Sequence, residues 1–337
     1  MAEKLLTFRP EGIYCAVGDF YIDPWRPVAR ALITHGHADH ARYGMGKYLC
    51  TDIAAPVMRH RLGDIDLETA HYGKVLNLNG VDVSFHPAGH VPGSAQIRVA
   101  HKGEVWVVSG DYKLENDGLS TPFEPVACHH FITESTFGLP VFRWAPQRDI
   151  AQDINAWWAQ CAANGKIAML GAYSLGKAQR LMRMLDGSGP ILTHAAIEGT
   201  NAVIRAQGIA LPDTFKVTAD TKGKDHPGAL VIAPPSALGS SWAKKFGSAE
   251  TGFASGWMAV RGIRRRRSGD RGFVISDHAD WPALLKAITA TGAENIYVTH
   301  GYTDIFSRYL TEAGWNAQIV QTEFGDDTDE ADQENAA

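Results

Sequence analysis

Apolar residues in the first 135 positions come in short runs punctuated by glycine and proline: ARALITH, KVLNLNG, VDVSFHP, AQIRVAH, EVWVVSGD and HHFITEST. Several alternate with a period near two, which puts successive side chains on opposite faces of a strand. EVWVVSGD predicts a buried strand that ends in a polar turn. From about position 146 the period lengthens. PQRDIAQDINAWWAQCAANGK carries apolar residues at helical spacing, with Pro146 near its start and Gly165 at its end. KIAMLGAYSLGKAQRLMRML then predicts a strand, a turn and a helix, and GALVIAPPSA a strand broken by two prolines. RGFVISDHADWPALLKAI and AENIYVTHGYTDIFSRYL each predict a strand, a polar turn and a helix. Strands alternating with helices predict an α/β unit with parallel pairing.

Length and charge refine this picture. A chain of 337 residues suggests two domains or one large one. No internal repeat or long linker is visible. The net charge of −5 is misleading, because EFGDDTDEADQENAA at 323–337 holds seven acids and no Lys or Arg. Setting that segment aside leaves 32 basic and 30 acidic residues, a body charge of +2. The segment predicts a disordered, solubilising tail, with competition against nucleic acid as the functional alternative. No apolar run is long enough to span a bilayer, and MAEKLLTFRPEG lacks the apolar stretch of a signal peptide. The cysteines at 15, 50, 128 and 161 form no CxxC pair, which argues against a disulfide framework and points to a cytoplasmic setting.

The polar turns that follow the apolar runs, at 34–40, 86–90, 109–111, 276–280 and 299–301, concentrate histidine and aspartate. In α/β folds, sites gather at such strand ends. The densest turn, HGHADH, places His35, His37, Asp39 and His40 within six positions. Imidazole and carboxylate ligands suit zinc, manganese or iron. A turn of this form can offer His35 and His37 to one ion while Asp39 and His40 face a second. Two adjacent ions also need a bridging carboxylate and more imidazoles, for which His90, Asp111 and His300 are candidates. Two divalent metals about 3.5–4 Å apart would hold a hydroxide nucleophile and stabilise charge on a phosphoryl or acyl oxygen. His60, His71, His101, His129, His130, His194 and His226 lack such company and read as ordinary residues.

HGHADH, AGHVPGSA and SGDYK resemble signature motifs of the metallo-β-lactamase superfamily. TESTFG, YSLGKAQ, SDHAD and VTHG extend the resemblance to its nucleic-acid-cleaving β-CASP branch, and the ordered set runs from Asp23 to His300. YIDPWRPVARALITHGHADHARYG and GFVISDHADWPALL are most similar to the bacterial ligase-associated DNA exonucleases. The resemblance implies an αββα sandwich over 1–145 and 270–322, with an inserted α/β β-CASP cap over 146–269 and a substrate cleft between them. It implies that His35, His37 and His90 bind one ion, that Asp39, His40 and His300 bind the other, and that Asp111 bridges both. Asp23 would buttress the ligand loop. Glu134 and His278 would lie near the scissile phosphate without binding metal. His278 would protonate the leaving oxygen and Glu134 would orient it. The implied cofactor is a pair of divalent ions, zinc first and manganese second. The implied activity is DNA phosphodiester hydrolysis in repair or processing, with a DNA ligase or helicase as partner and no membrane.

Two further stretches bear on the substrate. Residues 244–271 hold eight Lys or Arg against Glu250 and Asp270, and Arg264, Arg265, Arg266 and Arg267 directly precede the strand leading to His278. Cations so placed suit a backbone-tracking nuclease. GAYSLGKAQR predicts a helix opening with Ser174 as cap, its amides and Lys177 available to a phosphate. RNA is the alternative polymer. His300 occupies a position that crosslink-repair DNA nucleases of this branch give to an aliphatic residue and RNA-cleaving members give to histidine. A silent scaffold subunit is the contrasting class, but such proteins lose metal ligands and every candidate position is present here. A thioester hydrolase or di-iron redox protein would lack the SDHAD and VTHG turns and the extra α/β segment.

Overall fold

The computed structural model describes residues 4–187, 189–267, 269–320 and 322, so the expected acidic tail at 323–337 lies outside the described residues. The chain forms two compact units, one from the segment up to Pro140 together with the chain from His278 onward, the other from Val141–Asp277.

The first unit begins with β1 (Leu6–Arg9), β2 (Gly12–Cys15), β3 (Phe20–Ile22), β4 (Ala31–Leu32), β5 (Tyr48–Thr51), α1 (Ala55–Leu62) and β6 (Leu67–Ala70). These strands pair in chain order as one sheet, antiparallel up to β3 and parallel from β3 to β6. A second sheet starts with β7 (Leu76–Leu78), β8 (Val81–Pro87), β9 (Ala95–His101), β10 (Glu104–Val108) and β11 (His130–Ser135).

The second unit comprises α2 (Gln147–Ala163), β12 (Ala168–Gly171), α3 (Lys177–Met184), β13 (Ile191–Thr193), α4 (Ala195–Ala206), β14 (Phe215–Lys216), β15 (Leu230–Ala233), α5 (Pro235–Leu238), β16 (Glu250–Ala254), α6 (Arg261–Arg267) and β17 (Arg271–Phe273). Its sheet, ordered β14-β13-β15-β12-β16-β17, is parallel at every pairing among the described residues. Strands buried on both faces read as continuous apolar runs, as LVIA of β15 does. Trp157 and Trp158 of α2 pack in the core with Leu170, Leu181 and Ile232.

Near the edge of this sheet, Glu198 of α4 accepts hydrogen bonds from Thr193 Oγ1 and Thr214 Oγ1, both at 2.6 Å, and from Arg205 at 2.8 Å and Asn201 at 3.2 Å. Partial burial opposes its charge, but these donors outweigh burial and hold the carboxyl below its usual range. A depressed folded pKa gives stability that is present above the unfolded value, 4.5, and lost as pH falls through the folded one. Glu198→Gln is therefore expected to destabilise by about 1–2 kcal/mol at neutral pH, since hydrogen bonds to a charged group are worth somewhat more than neutral ones. Urea unfolding should show that gap from the parent shrinking below about pH 4.5. A gap constant with pH would exclude the charge as its source.

The chain returns to the first unit with α7 (Trp281–Thr291), β18 (Asn295–Gly301), α8 (Thr303–Glu312) and β19 (Asn316–Ile319), completing a sheet ordered β19-β18-β11-β10-β9-β8-β7. Asp280 caps α7 by accepting the amide of Ala283 at 3.0 Å, and left-handed Gly292 ends it. Alternation along the strands sorts the faces of both sheets. Leu32 and Leu49 share an inner core with Phe85, Ile97, Trp106, Ile132 and Tyr297. Their neighbours Ala31, Tyr48 and Cys50 pack against Ala55 and Met58 of α1. On the second sheet, Val107, Phe131, Ile296 and Val298 meet Leu284, Ile288, Phe306 and Leu310 of α7 and α8. A register slip of one residue would exchange these sets, so the pattern fixes the pairing. The unit is thus a helix–sheet–sheet–helix stack. No helix among the described residues is long and apolar enough to cross a membrane.

Candidate metal centre

The chemistry-bearing turns of the first unit leave the C-terminal ends of β4, β8, β10 and β18, while Glu134 lies near the end of β11. These elements converge on one buried cluster. His35, His37, His90 and Asp111 offer one ligand atom each, all within 4.8 Å of one another, and so do His40, Asp111 and His300, and His35, Asp39 and His40. Asp111 belongs to the first two groups. His35 Nε2 and His90 Nε2 each lie 3.1 Å from His37 Nδ1. Asp111 Oδ2 is 3.3 Å from His35 Nε2, 3.3 Å from His40 Nε2 and 3.8 Å from His90 Nε2. Asp39 Oδ2 is 3.6 Å from His40 Nε2 and 3.7 Å from His300 Nε2.

These separations fit metal binding. With zinc–nitrogen bonds of about 2.0–2.1 Å, the donors of a tetrahedral site lie about 3.3–3.4 Å apart. A proton can bridge only one of the contacts His37 Nδ1 makes, whereas a single cation would satisfy all three ring nitrogens together. Asp111 Oδ1 is buried without a hydrogen-bond donor among the described residues, which leaves an acceptor for a cation.

Electrostatics agree. Burial, and then repulsion from His40, holds His35 well below the usual histidine range. Burial and the neighbouring His278, His35 and His37 do the same to His90. Both are neutral at pH 7 and keep a lone pair for an ion. His40 goes the other way: burial opposes its charge, but Asp111, Asp39 and Asp23 outweigh it and raise the group well above its ordinary range. Burial also opposes charge on Asp111, yet His40 and His35 keep it well below the carboxylate range. The carboxylates thus favour positive charge at this point of the fold.

Asp23 lies beneath the ligand loop, accepting the Thr34 amide at 2.8 Å and His40 Nδ1–H at 2.7 Å. It adopts φ 42°, and His300 adopts φ 60°, both in the left-handed region where a β-carbon is strained. Gly301 follows with φ 84°, and a β-carbon there would meet Ser135 O at 2.5 Å. Beside the cluster, His278 Nδ1–H donates to Glu134 Oε2 at 3.0 Å, while Glu134 Oε1 accepts the Tyr112 amide at 2.7 Å. The ring of His278 lies 4.6 Å from that of His90 and edge-on to Phe137.

The second unit corrects one expectation. Ser174 does not cap α3: the helix starts at Lys177 after Gly176, whose amide donates to Gln179 Oε1 at 2.8 Å. Gly176 has φ 84°, so a glycine makes the turn and Ser174 sits before it. Lys177 is buried, 3.1 Å from Asp277 and over the ring of Tyr173, so its charge is already neutralised. Arg264 and Arg265 are exposed on α6, and the side chains of Arg266 and Arg267 lie outside the description.

Sequence reasoning missed several supports. Ser94 Oγ accepts the amides of His90 and Val91 at 3.0 and 3.2 Å. Arg61 donates to the carbonyl of Gly36. The Tyr112 amide fixes Glu134. Only Ser94 carried a signal, its place in AGHVPGSA.

No model of a known protein family matches the chain. A protein named as a probable DNA ligase from Opitutus terrae is 30% identical over 314 residues, 92% of this chain and 30% of that protein. A protein named as a ribonuclease from Thermus thermophilus is 27% identical over 206 residues, 53% of this chain and 47% of that protein. The chain thus spans less than half the length of either relative. The crystal structure of a protein of unknown function from Enterococcus faecalis V583 shares the fold, with a TM-score of 0.61 at 11% identity over 88% of this chain and 80% of that one. With the ordered motifs from Asp23 to His300 gathered on a helix–sheet–sheet–helix unit, and with these relatives, the chain belongs to the metallo-β-lactamase superfamily, in its β-CASP branch.

Proposed function

We propose that the protein is a metal-dependent nuclease that hydrolyses DNA phosphodiester bonds, acting as an exonuclease in DNA repair or processing in the cytoplasm. The observation that carries this reading is the convergence of six ligand-bearing side chains around Asp111, next to the buried His278–Glu134 pair. His35, His37 and His90 would hold one ion, Asp39, His40 and His300 the other, and Asp111 would serve both. Zinc suits this donor set, with manganese as the alternative. When bound, the ions supply Lewis acidity toward a phosphoryl oxygen and make water acidic enough to ionise near neutral pH.

The chain's own residues do the rest. Asp23 holds the ligand loop through Thr34 and His40. Glu134, locked by the Tyr112 amide, accepts Nδ1–H of His278 and so turns the opposite ring nitrogen, Nε2, into the atom that hands a proton to the leaving oxygen. The second unit is the β-CASP cap, and Arg264 and Arg265 supply cations for a sugar–phosphate backbone. Lys177, already paired, drops out of that role.

RNA is the second reading, favoured by the histidine at 300 and by the similarity to a protein named as a ribonuclease. DNA is preferred because the similarity to a protein named as a probable DNA ligase extends over 92% of this chain. The same similarity supports a ligase as partner, since a ligase consumes trimmed ends. The 337-residue chain with Zn²⁺ or Mn²⁺ is expected to shorten end-labelled single-stranded DNA one nucleotide at a time, with little action on RNA. Digestion of RNA alone would transfer the assignment to the second reading, and no cleavage of either polymer would overturn both.

A further inference from the structure

We propose that Thr34 is a positioning residue that fixes which ring nitrogen of His35 carries the proton, and thereby sets the affinity of the first ligand group for a divalent cation. The inference rests on the metal reading above and concerns a side chain to which no role has been assigned.

The proton inventory is short. A carboxylate only accepts, and a threonine hydroxyl has a single proton to give. Thr34 Oγ1 lies 2.6 Å from Asp23 Oδ2, so that proton goes to Asp23. The hydroxyl oxygen then presents only lone pairs to His35 Nδ1, 3.1 Å away. Two facing lone pairs repel, so this contact favours the His35 tautomer with its proton on Nδ1, against the competing pull of Asp111 Oδ2 on Nε2, which a bound cation would relieve. Nε2 is left as the lone-pair nitrogen, and it faces His37 Nδ1 at 3.1 Å and Asp111 Oδ2 at 3.3 Å. A neighbour that orients a metal-binding histidine by taking its other ring proton is worth about 10–100-fold in metal affinity.

Besides these two contacts the hydroxyl lies 3.4 Å from His40 Nδ1, whose proton goes to Asp23 Oδ2 at 2.7 Å, and Thr34 is otherwise confined. It is 1% exposed, and its amide donates to the second oxygen of Asp23. Gly110, at φ 55°, passes so close that a β-carbon there would lie 2.6 Å from both Cβ and Oγ1 of Thr34. The glycine beside Asp111 therefore holds the threonine rotamer from the opposite side. Without the hydroxyl, His35 gains by moving its proton to Nε2, where Asp111 Oδ2 accepts it, and the proton then occupies the direction in which an ion would be bound.

The test uses the 337-residue chain, Zn²⁺ titrated against a chromogenic chelator, and ring-¹⁵N spectra of the histidines. Thr34→Val, which keeps the shape and removes the hydroxyl, is expected to weaken zinc binding by about 10–100-fold. Thr34→Ser should restore it to within a few-fold of the parent. His35 Nδ1 should resonate as N–H in the parent and as a lone-pair nitrogen in Thr34→Val, a change that a merely structural role would not produce. Parental affinity in Thr34→Val, or a parental His35 protonated on Nε2, overturns the inference. The parental spectrum decides alone if Thr34→Val does not fold. A parent that takes up no zinc overturns the metal reading and this inference together, whereas equal uptake by parent and Thr34→Val overturns only the inference.

Discussion

Asp111→Asn is expected to abolish stable metal loading and, with it, turnover. Among the described residues no other side chain serves both principal ligand groups: its carboxylate is 3.3 Å from His35 Nε2 and from His40 Nε2, and its other oxygen is buried without a donor. An amide is nearly the same size, so packing is preserved while the charge that offsets the crowded imidazoles is removed. Losing a ligand outright should cost more than the tenfold to hundredfold typical of a supporting residue, so an affinity loss above about 100-fold, roughly 2.7 kcal/mol or more, is expected. Asp39→Asn provides the contrast. Asp39 stands with His35 and His40 and takes no part in the group of His35, His37, His90 and Asp111. Elemental analysis after dialysis should therefore find almost no metal in Asp111→Asn but about half the parental content in Asp39→Asn. Equal metal content in the two variants would remove Asp111 from its bridging place.

Much of this arrangement was legible in the sequence because its signals are local. HGHADH packs its ligands within one turn, so spacing alone suggested a metal, and the other histidines and aspartates stood where apolar runs stop. EVWVVSGD read as a buried strand, and Trp106 and Val107 indeed lie in different cores, one on each face of the sheet. Alternating strands and helices after 146 foretold a parallel sheet in the second unit. What escaped reading depends on contacts between distant positions. Nothing near Lys177 in sequence announces that Asp277, a hundred positions on, neutralises it. Gly176 displaced Ser174 as the start of α3 because Gln179 turns back to satisfy the free amide, a choice that propensity alone does not make. The supports of Glu134 and His35 are a backbone amide and a hydroxyl that bear no motif of their own. Strands as short as β4 and β14 carry too few residues for a period to show.

His278→Ala should separate proton transfer from metal binding. The side chain shares a group with Asp111 and Glu134 but lies outside the two principal ligand groups, so metal content should match the parent. Turnover on DNA should nevertheless fall by about 10²–10⁴-fold, the range for losing a general acid. The reason lies in the order of hydrogen bonds. Glu134 spends one oxygen on the Tyr112 amide and the other on Nδ1–H of His278, so neither carboxylate oxygen turns freely and the imidazole is held by its back. The far nitrogen is then the atom positioned to meet an oxygen that must leave as an alcohol. A leaving group stable without a proton needs no such help. Bis(p-nitrophenyl) phosphate should accordingly lose no more than about tenfold in the same variant, because its nitrophenolate departs as the anion. Glu134→Gln, which keeps a hydrogen-bond acceptor for the ring but removes the charge, should fall between parent and His278→Ala on DNA and close to the parent on the nitrophenyl ester. Equal losses on the two substrates would mean that His278 shapes the pocket rather than delivering the proton, and metal loss in His278→Ala would make it a ligand instead.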